Sequence, residues 1–322
     1  MAISVLRVWM LLISIMMLGV GTASAQTYPN KLIRIITNQV GSGSDFIARL
    51  VAEGIGSSLG QRVLVENRAG GQGVPAIVPV AEATPDGYTL LSYNNPLWVA
   101  PLMRSVPWNI KDFQPITLVA QAPLILVVNP SVPAKSVSDL IALAKRNPGK
   151  LNYAAGGTGS STHLSAELFK SMAGVDIVRI SYKGSAGPMA DLIAGRVQLS
   201  FAIVRPVMPH VQTGKLRALA ITSAAPSALF PGLPTVAASG LDGYESISIF
   251  GIFAPAKTPT AIVNRLNSEI VQVLGKAEVK EKLLSFGLEA IGSSPEKSAA
   301  IVRADEVRWK KVFETAGIKP ER

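Results

Sequence analysis

The sequence of 322 residues contains no cysteine and only two histidines. Without cysteine the chain has no disulfide, no thiol nucleophile and no thiolate metal site. Neither His163 nor His210 belongs to an HExxH pattern, so the zinc motif of metalloproteases is missing. We therefore predict no bound metal and no cofactor, and we expect the stability of the fold to come from packing.

No run of five or more basic residues occurs, although the formal net charge is +10. The basic residues are scattered, and the aromatic residues, 6% of the chain, are not interleaved with them. This pattern does not favour nucleic acid as a partner. The diffuse positive charge either raises the rate of encounter with anionic ligands or serves colloidal stability alone. The sequence leaves both interpretations open.

Signatures of catalysis are sparse. No GxxxxGK[ST] phosphate loop occurs, and Phe46 stands where a dinucleotide fingerprint beginning at Gly41 would need its third glycine. Ser160 and Ser161 lie close to His163, but a histidine at a helix start is more often packed or capping than a general base. We predict no catalytic residues, which favours a binding protein over an enzyme.

The N-terminus has the pattern of an export signal. Arg7 supplies a short positive region, residues 8–20 are apolar, and Ala23-Ser24-Ala25 fits the small-x-small cleavage pattern. We expect cleavage after Ala25 and a mature chain that begins at Gln26. The apolar stretch is shorter than the roughly 20 residues of a membrane span. A retained N-terminal anchor is the alternative.

Apolar runs of strand length alternate with helical patterns, which predicts an α/β fold with mainly parallel sheets. The predicted strands include 32–37, 62–66, 116–120, 124–128, 151–155 and 197–201. Thr258 with Pro259 predicts one C-terminal helix start, and the capping box Ser293-Ser294-Pro295-Glu296 predicts another. These helices follow the last strand and are expected to pack back on the first part of the chain.

Such a return implies two chain crossings, near residues 121–128 and 243–250. A chain of this length usually forms two domains. The predicted division makes residues 1–25 the signal peptide, 26–122 with 249–322 the first domain, and 123–248 the second domain.

Two Gly/Ser-rich turns are the most informative feature of the sequence. The first turn is Gly41-Ser42-Gly43-Ser44-Asp45, and the second turn is Gly156-Gly157-Thr158-Gly159-Ser160-Ser161-Thr162. Each follows an apolar run and leads into a helical pattern, so its N–H groups and hydroxyls suit a small carboxylate or phosphate. Two such turns predict a ligand held between two domains. Ordinary connections between strand and helix are the alternative for either turn alone.

Several short strings give the chain a family resemblance. They include Val65-Glu66-Asn67-Arg68, Pro85-Asp86-Gly87-Tyr88-Thr89-Leu90-Leu91, Tyr182-Lys183-Gly184-Ser185, Leu233-Pro234-Thr235-Val236 and Phe253-Ala254-Pro255-Ala256. With the second turn, they resemble the Bug family, the periplasmic solute receptors of tripartite tricarboxylate transporters. The resemblance covers nearly the whole mature chain.

The resemblance implies a periplasmic-binding-protein-like fold of type II, a Venus flytrap of two α/β domains joined by two crossings. It implies a periplasmic monomer that binds a small organic carboxylate through residues 39–45 and 157–162 and delivers it to integral-membrane transporter subunits. A receptor that presents ligand to a sensor kinase is the alternative, and an enzyme acting on a small organic acid is a more distant one.

Two departures from the family pattern affect the ligand site. The prolines of the family's first loop are replaced, with Asn38 and Gln39 among the residues present, and Ala202 stands where members often have Asp. Arg205 could instead face the cleft and pair with a second carboxylate, or point to solvent. The first of these predicts a preference for diacids. The predicted ligand-binding residues are Gln39, Gly41, Ser42, Gly43, Ser44, Asp45, Gly157, Thr158, Gly159, Ser160, Ser161, Thr162, Ala202 and Arg205.

Overall fold

The computed structural model describes residues 28–182, 186–227 and 229–315. The predicted signal peptide, its cleavage site after Ala25 and the string Lys183-Gly184-Ser185 lie outside the described residues. Among the described helices, none combines the length and the apolar character needed to cross a membrane.

Strands and helices alternate along most of the chain. The strands are β1 (Ile33–Thr37), β2 (Val63–Asn67), β3 (Thr89–Asn94), β4 (Phe113–Val128), β5 (Asn152–Ala155), β6 (Val178–Ser181), β7 (Leu199–Ile203), β8 (Arg217–Ile221), β9 (Ile247–Pro255) and β10 (Glu289–Ala290). The α-helices are α1 (Gly43–Leu59), α2 (Val74–Ala81), α3 (Pro96–Met103), α4 (Val137–Arg146), α5 (Ser161–Ala173), α6 (Ala186–Ile193), α7 (Val204–Gln212), α8 (Thr260–Gly275), α9 (Ala277–Ser285) and α10 (Pro295–Thr315).

The strands form one curled sheet in the order β2-β1-β3-β9-β4-β7-β5-β6, with β8 and β10 also paired to β4. The outer pairs on both sides are parallel, but β4 and β9 run antiparallel to the strands beside them. The expectation of mainly parallel sheets was therefore wrong for the centre. These two strands carry the chain between its halves, and that passage sets their direction.

One long strand replaces two of the predicted strands. Residues 116–120 and 124–128 both belong to β4, a single strand of 16 residues. Its first part pairs with β9 as far as Pro123, and from Leu124 onward it pairs with β7 and β8. Pro123 thus stands where the ladder changes partners, a place where a missing N–H interrupts little. This change of partners lies within the first predicted crossing, while the predicted domain limits stay a prediction.

The C-terminal helices pack back as predicted, since α8 and α10 both lie against β4. The buried Asp305 on α10 accepts hydrogen bonds from Asn95 Nδ2 and Trp98 Nε1, each at 2.8 Å. These bonds tie α10 to α3 and its preceding residue. An apolar cluster that includes Trp98, Tyr153, Phe201 and Trp309 extends across both halves of the chain.

The predicted caps of two C-terminal helices were wrong by one residue. Ser294, not Ser293, caps α10, because Lys297 N donates to Ser294 Oγ at 3.2 Å. Ser293 turns inward, where its Oγ lies 2.8 Å from Ser298 Oγ. Helix α8 begins after Pro259 rather than at it. The buried hydroxyl of Thr258 donates to the Pro255 carbonyl oxygen at 2.7 Å.

Candidate functional site

A cavity of about 310 Å³ lies at the carboxyl ends of β5, β6 and β7. Ligands of open α/β sheets bind at this edge, where loops rather than strands meet. Its lining comprises Gln39, Ala154, Ala155, Gly156, Gly157, Ser160, Ser161, Thr162, Tyr182, Pro188, Met189, Leu192, Ser200, Ala202, Ile203 and Pro206. Two larger depressions, of about 490 and 420 Å³, lie elsewhere and include no residue of either turn.

The second turn shapes the polar side of this cavity. Ser160 is the N-cap of α5 in an extended conformation, and its side chain accepts a hydrogen bond from His163 N. Thr162 Oγ1 accepts from Gly156 N at 3.0 Å. In the described part of the chain, the N–H groups of Gly157 and Ser161 have no acceptor. They are available to an anion at the positive end of α5.

Arg179 on β6 lies behind the second turn. Its guanidinium donates to Gly156 O at 2.9 Å and to Thr158 Oγ1 at 3.2 Å. The arginine therefore holds two residues of the turn and places a positive charge next to it. Sequence reasoning missed Arg179, since the only signal was a single charged residue within a short apolar run.

His163 supports the same turn from inside. It is 5% exposed, and its Nδ1 accepts a hydrogen bond from Gly159 N at 3.2 Å. Burial, together with the positive charge of Arg179, lowers the pKa of His163 from 6.5 to about 4. The ring is neutral at pH 7 and serves as a structural acceptor, in agreement with the capping role expected from the sequence.

The first turn is organised around a buried carboxylate. Ser42 caps α1 by accepting from Asp45 N at 3.1 Å. Asp45 accepts from Gly41 N at 2.9 Å, from Asn67 Nδ2 at 2.8 Å and from Arg49 Nε at 3.0 Å. Burial alone would raise the pKa of Asp45, but these hydrogen bonds and the Arg49 charge hold it below its usual value. The carboxylate therefore stabilises the turn.

Comparison with known proteins identifies the family. The family model described as the tripartite tricarboxylate transporter family receptor matches residues 47–318. The protein BugT of Bordetella pertussis is 37% identical over 302 residues, which is 92% of each chain. The chain belongs to the tripartite tricarboxylate transporter receptor family. It is thus a Bug-type solute-binding receptor rather than an enzyme, as the sequence predicted.

Solved structures of related receptors share the fold. The Rhodopseudomonas palustris protein Rpa4515 with adipate is 36% identical, with a TM-score of 0.81 over 91% of this chain and 100% of that one. The protein MatC of the same organism, with bound malate, is 26% identical, with a TM-score of 0.76 over 88% of this chain and 99% of that one. The predicted α/β binding-protein fold is thereby confirmed.

The receptor brings only part of the predicted site to the cavity. The lining includes Gln39, Gly157, Ser160, Ser161, Thr162 and Ala202. It does not include Gly41, Ser42, Gly43, Ser44, Asp45, Thr158, Gly159 or Arg205. For all fourteen predicted residues, inside or outside the lining, contact with a ligand stays a prediction.

Arg205, for which the sequence left cleft-facing and solvent-facing positions open, is exposed and lies outside the lining of the cavity. Its guanidinium lies over the ring of Phe286, 5.1 Å from the ring centroid, and Phe286 stacks on Phe46. The lining instead contains apolar residues of α6 and β7 that sequence reasoning missed, together with Tyr182 and Ser200. Helix α6 was not predicted, so nothing placed its side chains near the turn.

No group of histidine and acidic side chains within residues 28–182, 186–227 and 229–315 could hold a metal ion. The described polar groups of the cavity lining include N–H groups, hydroxyls and the amide of Gln39.

Proposed function

We propose that this receptor captures a small organic carboxylate in the periplasm and delivers it to the integral-membrane subunits of a tripartite tricarboxylate transporter. The observation that carries the proposal is the second turn, where free N–H groups at the start of α5 border the cavity with Arg179 behind them. Hydrogen bonds from such donors to a carboxylate are stronger than those between neutral groups. Relatives bound to adipate and malate support a carboxylate as the ligand.

The ligand, in this proposal, lies between the two halves of the chain. The second turn binds its carboxylate, and Gln39 reaches the same cavity from the half that contains β1. The remaining residues of the first turn come closer when the halves close. The receptor acts as an exported monomer after removal of residues 1–25.

Substitution of Ser161 by proline tests the carboxylate site. Ser161 is the first residue of α5, where proline is well tolerated, and Ser160 already has the extended conformation that precedes proline. Ser161→Pro therefore removes one free N–H while keeping the helix. Ala277→Pro is the matched control, because Ala277 is exposed and begins α9 after an extended residue.

Native mass spectrometry of protein purified without refolding identifies the acid that remains bound. At 100 times its dissociation constant, that acid should stabilise the wild type and Ala277→Pro by about 2.7 kcal/mol. Ser161→Pro should keep its fold and lose most of this stabilisation. An equal ligand-induced shift in Ser161→Pro, or a broad screen in which no carboxylate binds, would contradict the proposal.

A further inference from the structure

The wall of the cavity beyond the second turn is apolar. Helix α6 supplies Pro188, Met189 and Leu192, and the end of β7 supplies Ala202 and Ile203. Ile203 is 51% exposed, so about half of its apolar side chain faces water at the cavity wall. Covering such a surface with the apolar part of a ligand removes it from water and is favourable.

The described residues of this wall include no charged side chain that could bind a second charged group. Among the described residues of the lining there is no Lys, Arg, His, Asp or Glu. The hydroxyl of Tyr182 already donates to Asp191 Oδ2 at 2.6 Å, and that of Ser200 to Ala154 O at 2.9 Å. A hydroxyl has one proton, so both can accept from a ligand but have none left to donate.

Positive charge lies instead at the second turn. Arg179 holds Gly156 and Thr158 there, whereas Arg205 lies over Phe286, off the lining. Gln39 is the one side-chain amide among the described residues of the lining, and it offers donors without charge. The cavity is thus polar at the turn and apolar along the α6 and β7 wall.

We propose that the ligand is a monocarboxylate with an apolar aliphatic or aromatic body, and that diacids and amino acids are disfavoured. This inference rests on the proposed function, because the single carboxylate binds at the second turn. A second carboxylate on the wall would lose its hydration without gaining a charged donor from the described lining. An ammonium group would find hydroxyl oxygens there but no carboxylate.

Matched acids test this inference on receptor freed of ligand by unfolding and refolding. Isothermal titration compares butanoate, hexanoate, octanoate and 4-methylbenzoate with the diacids of equal carbon skeleton, succinate, adipate, suberate and terephthalate, and with the corresponding amino acids. For the carbon skeleton that binds with the highest affinity, we expect the monoacid to bind at least tenfold more tightly than the matching diacid and amino acid. Equal or tighter binding of the diacid overturns the inference and leaves the carboxylate receptor intact. No binding by any acid overturns both proposals.

Met189→Lys tests where the ligand's body lies. Lysine has the unbranched shape of methionine, so the change adds a positive charge to the wall with little change in bulk. The affinity for the preferred diacid should rise relative to that for its monoacid, while Met189→Leu should keep the monoacid preference. An unchanged ratio in a folded Met189→Lys receptor would place the ligand's body elsewhere and overturn the inference.

Discussion

At the scale of single residues, the second turn depends on two side chains outside the cavity lining, the buried His163 and the half-buried Arg179. His163 accepts from Gly159 N, and Arg179 donates to Gly156 O. The two side chains also act on each other, because the arginine charge disfavours a charged imidazole nearby. Arg179 therefore supplies the positive charge at the turn, and the neutral His163 supplies the hydrogen-bond acceptor for Gly159 N.

The lowered pKa of His163 predicts how stability changes with pH. Its value of about 4 in the folded state lies below 6.5, so between these values the unfolded chain binds a proton that the folded chain does not. Stability from neutral His163 is complete above about pH 6.5 and is lost as the pH falls toward 4. The gap of about 2.5 between the values corresponds to roughly 3 kcal/mol.

Chemical denaturation of wild type and His163→Gln between about pH 7 and pH 4 measures this contribution. The wild type should lose more unfolding free energy over this range than His163→Gln, which cannot take up the proton. The same slope in both proteins would show that His163 is not the neutral, buried acceptor described.

At the scale of elements, the start of α10 shows how tertiary packing changes which residue caps a helix. Ser293 and Ser294 both suit an N-cap by sequence. The buried Ser293 Oγ accepts from Leu118 N on β4 at 3.2 Å, which leaves Ser294 to bind Lys297 N. Packing against β4 thus moves the cap by one residue.

Ser294→Ala should therefore lower the unfolding free energy by about 1 kcal/mol, the usual cost of losing an N-cap. Ser294→Asp should retain the wild-type value, because aspartate accepts the same hydrogen bond. In the capping box predicted from sequence, Ser294 would be the first helical residue, where alanine is tolerated. Unfolding by denaturant distinguishes Ser294 from Ser293 as the N-cap. An unchanged unfolding free energy in Ser294→Ala would favour Ser293, the cap predicted from sequence.

At the scale of the whole molecule, strand β4, several side-chain contacts and a shared apolar cluster join the two halves of the chain. Strand β4 changes its pairing partners between Pro123 and Leu124, and Ser227 Oγ donates to Glu289 Oε1 at 2.5 Å from one half to the other. The contact of Arg205 with Phe286 adds a side-chain link between α7 and the end of α9. Closure about such connections is a common response of two-domain receptors to ligand.

Ligand should therefore make the receptor more compact. We expect small-angle scattering to give a smaller radius of gyration with the bound acid than without it, because in the proposed binding mode the ligand contacts both halves. Receptor emptied by unfolding and refolding provides the reference, and Ser161→Pro at the same acid concentration provides the control. An unchanged radius in wild type that starts empty and binds the acid would contradict closure.

Local patterns in the sequence determined the order of most strands and helices and the position of the two turns. Apolar periodicity and capping residues act within a few positions, so they can be interpreted without the fold. These local patterns did not predict helices where the local signals are ambiguous. Helices α2 and α3 each contain two prolines, and α6 is only eight residues long. None of these three helices was predicted.

The tertiary structure alone decided the long-range features of the receptor. The antiparallel centre of the sheet, the inward-facing carboxylate of Asp45 and the contact of Arg205 with Phe286 join residues far apart in sequence. The same holds for Arg179 behind the second turn and for the apolar wall from α6. Sequence determined where the two turns lie and which polar groups they contain, since turn chemistry is local. The chemistry of the remaining wall depends on which distant side chains the folded chain places beside the turn.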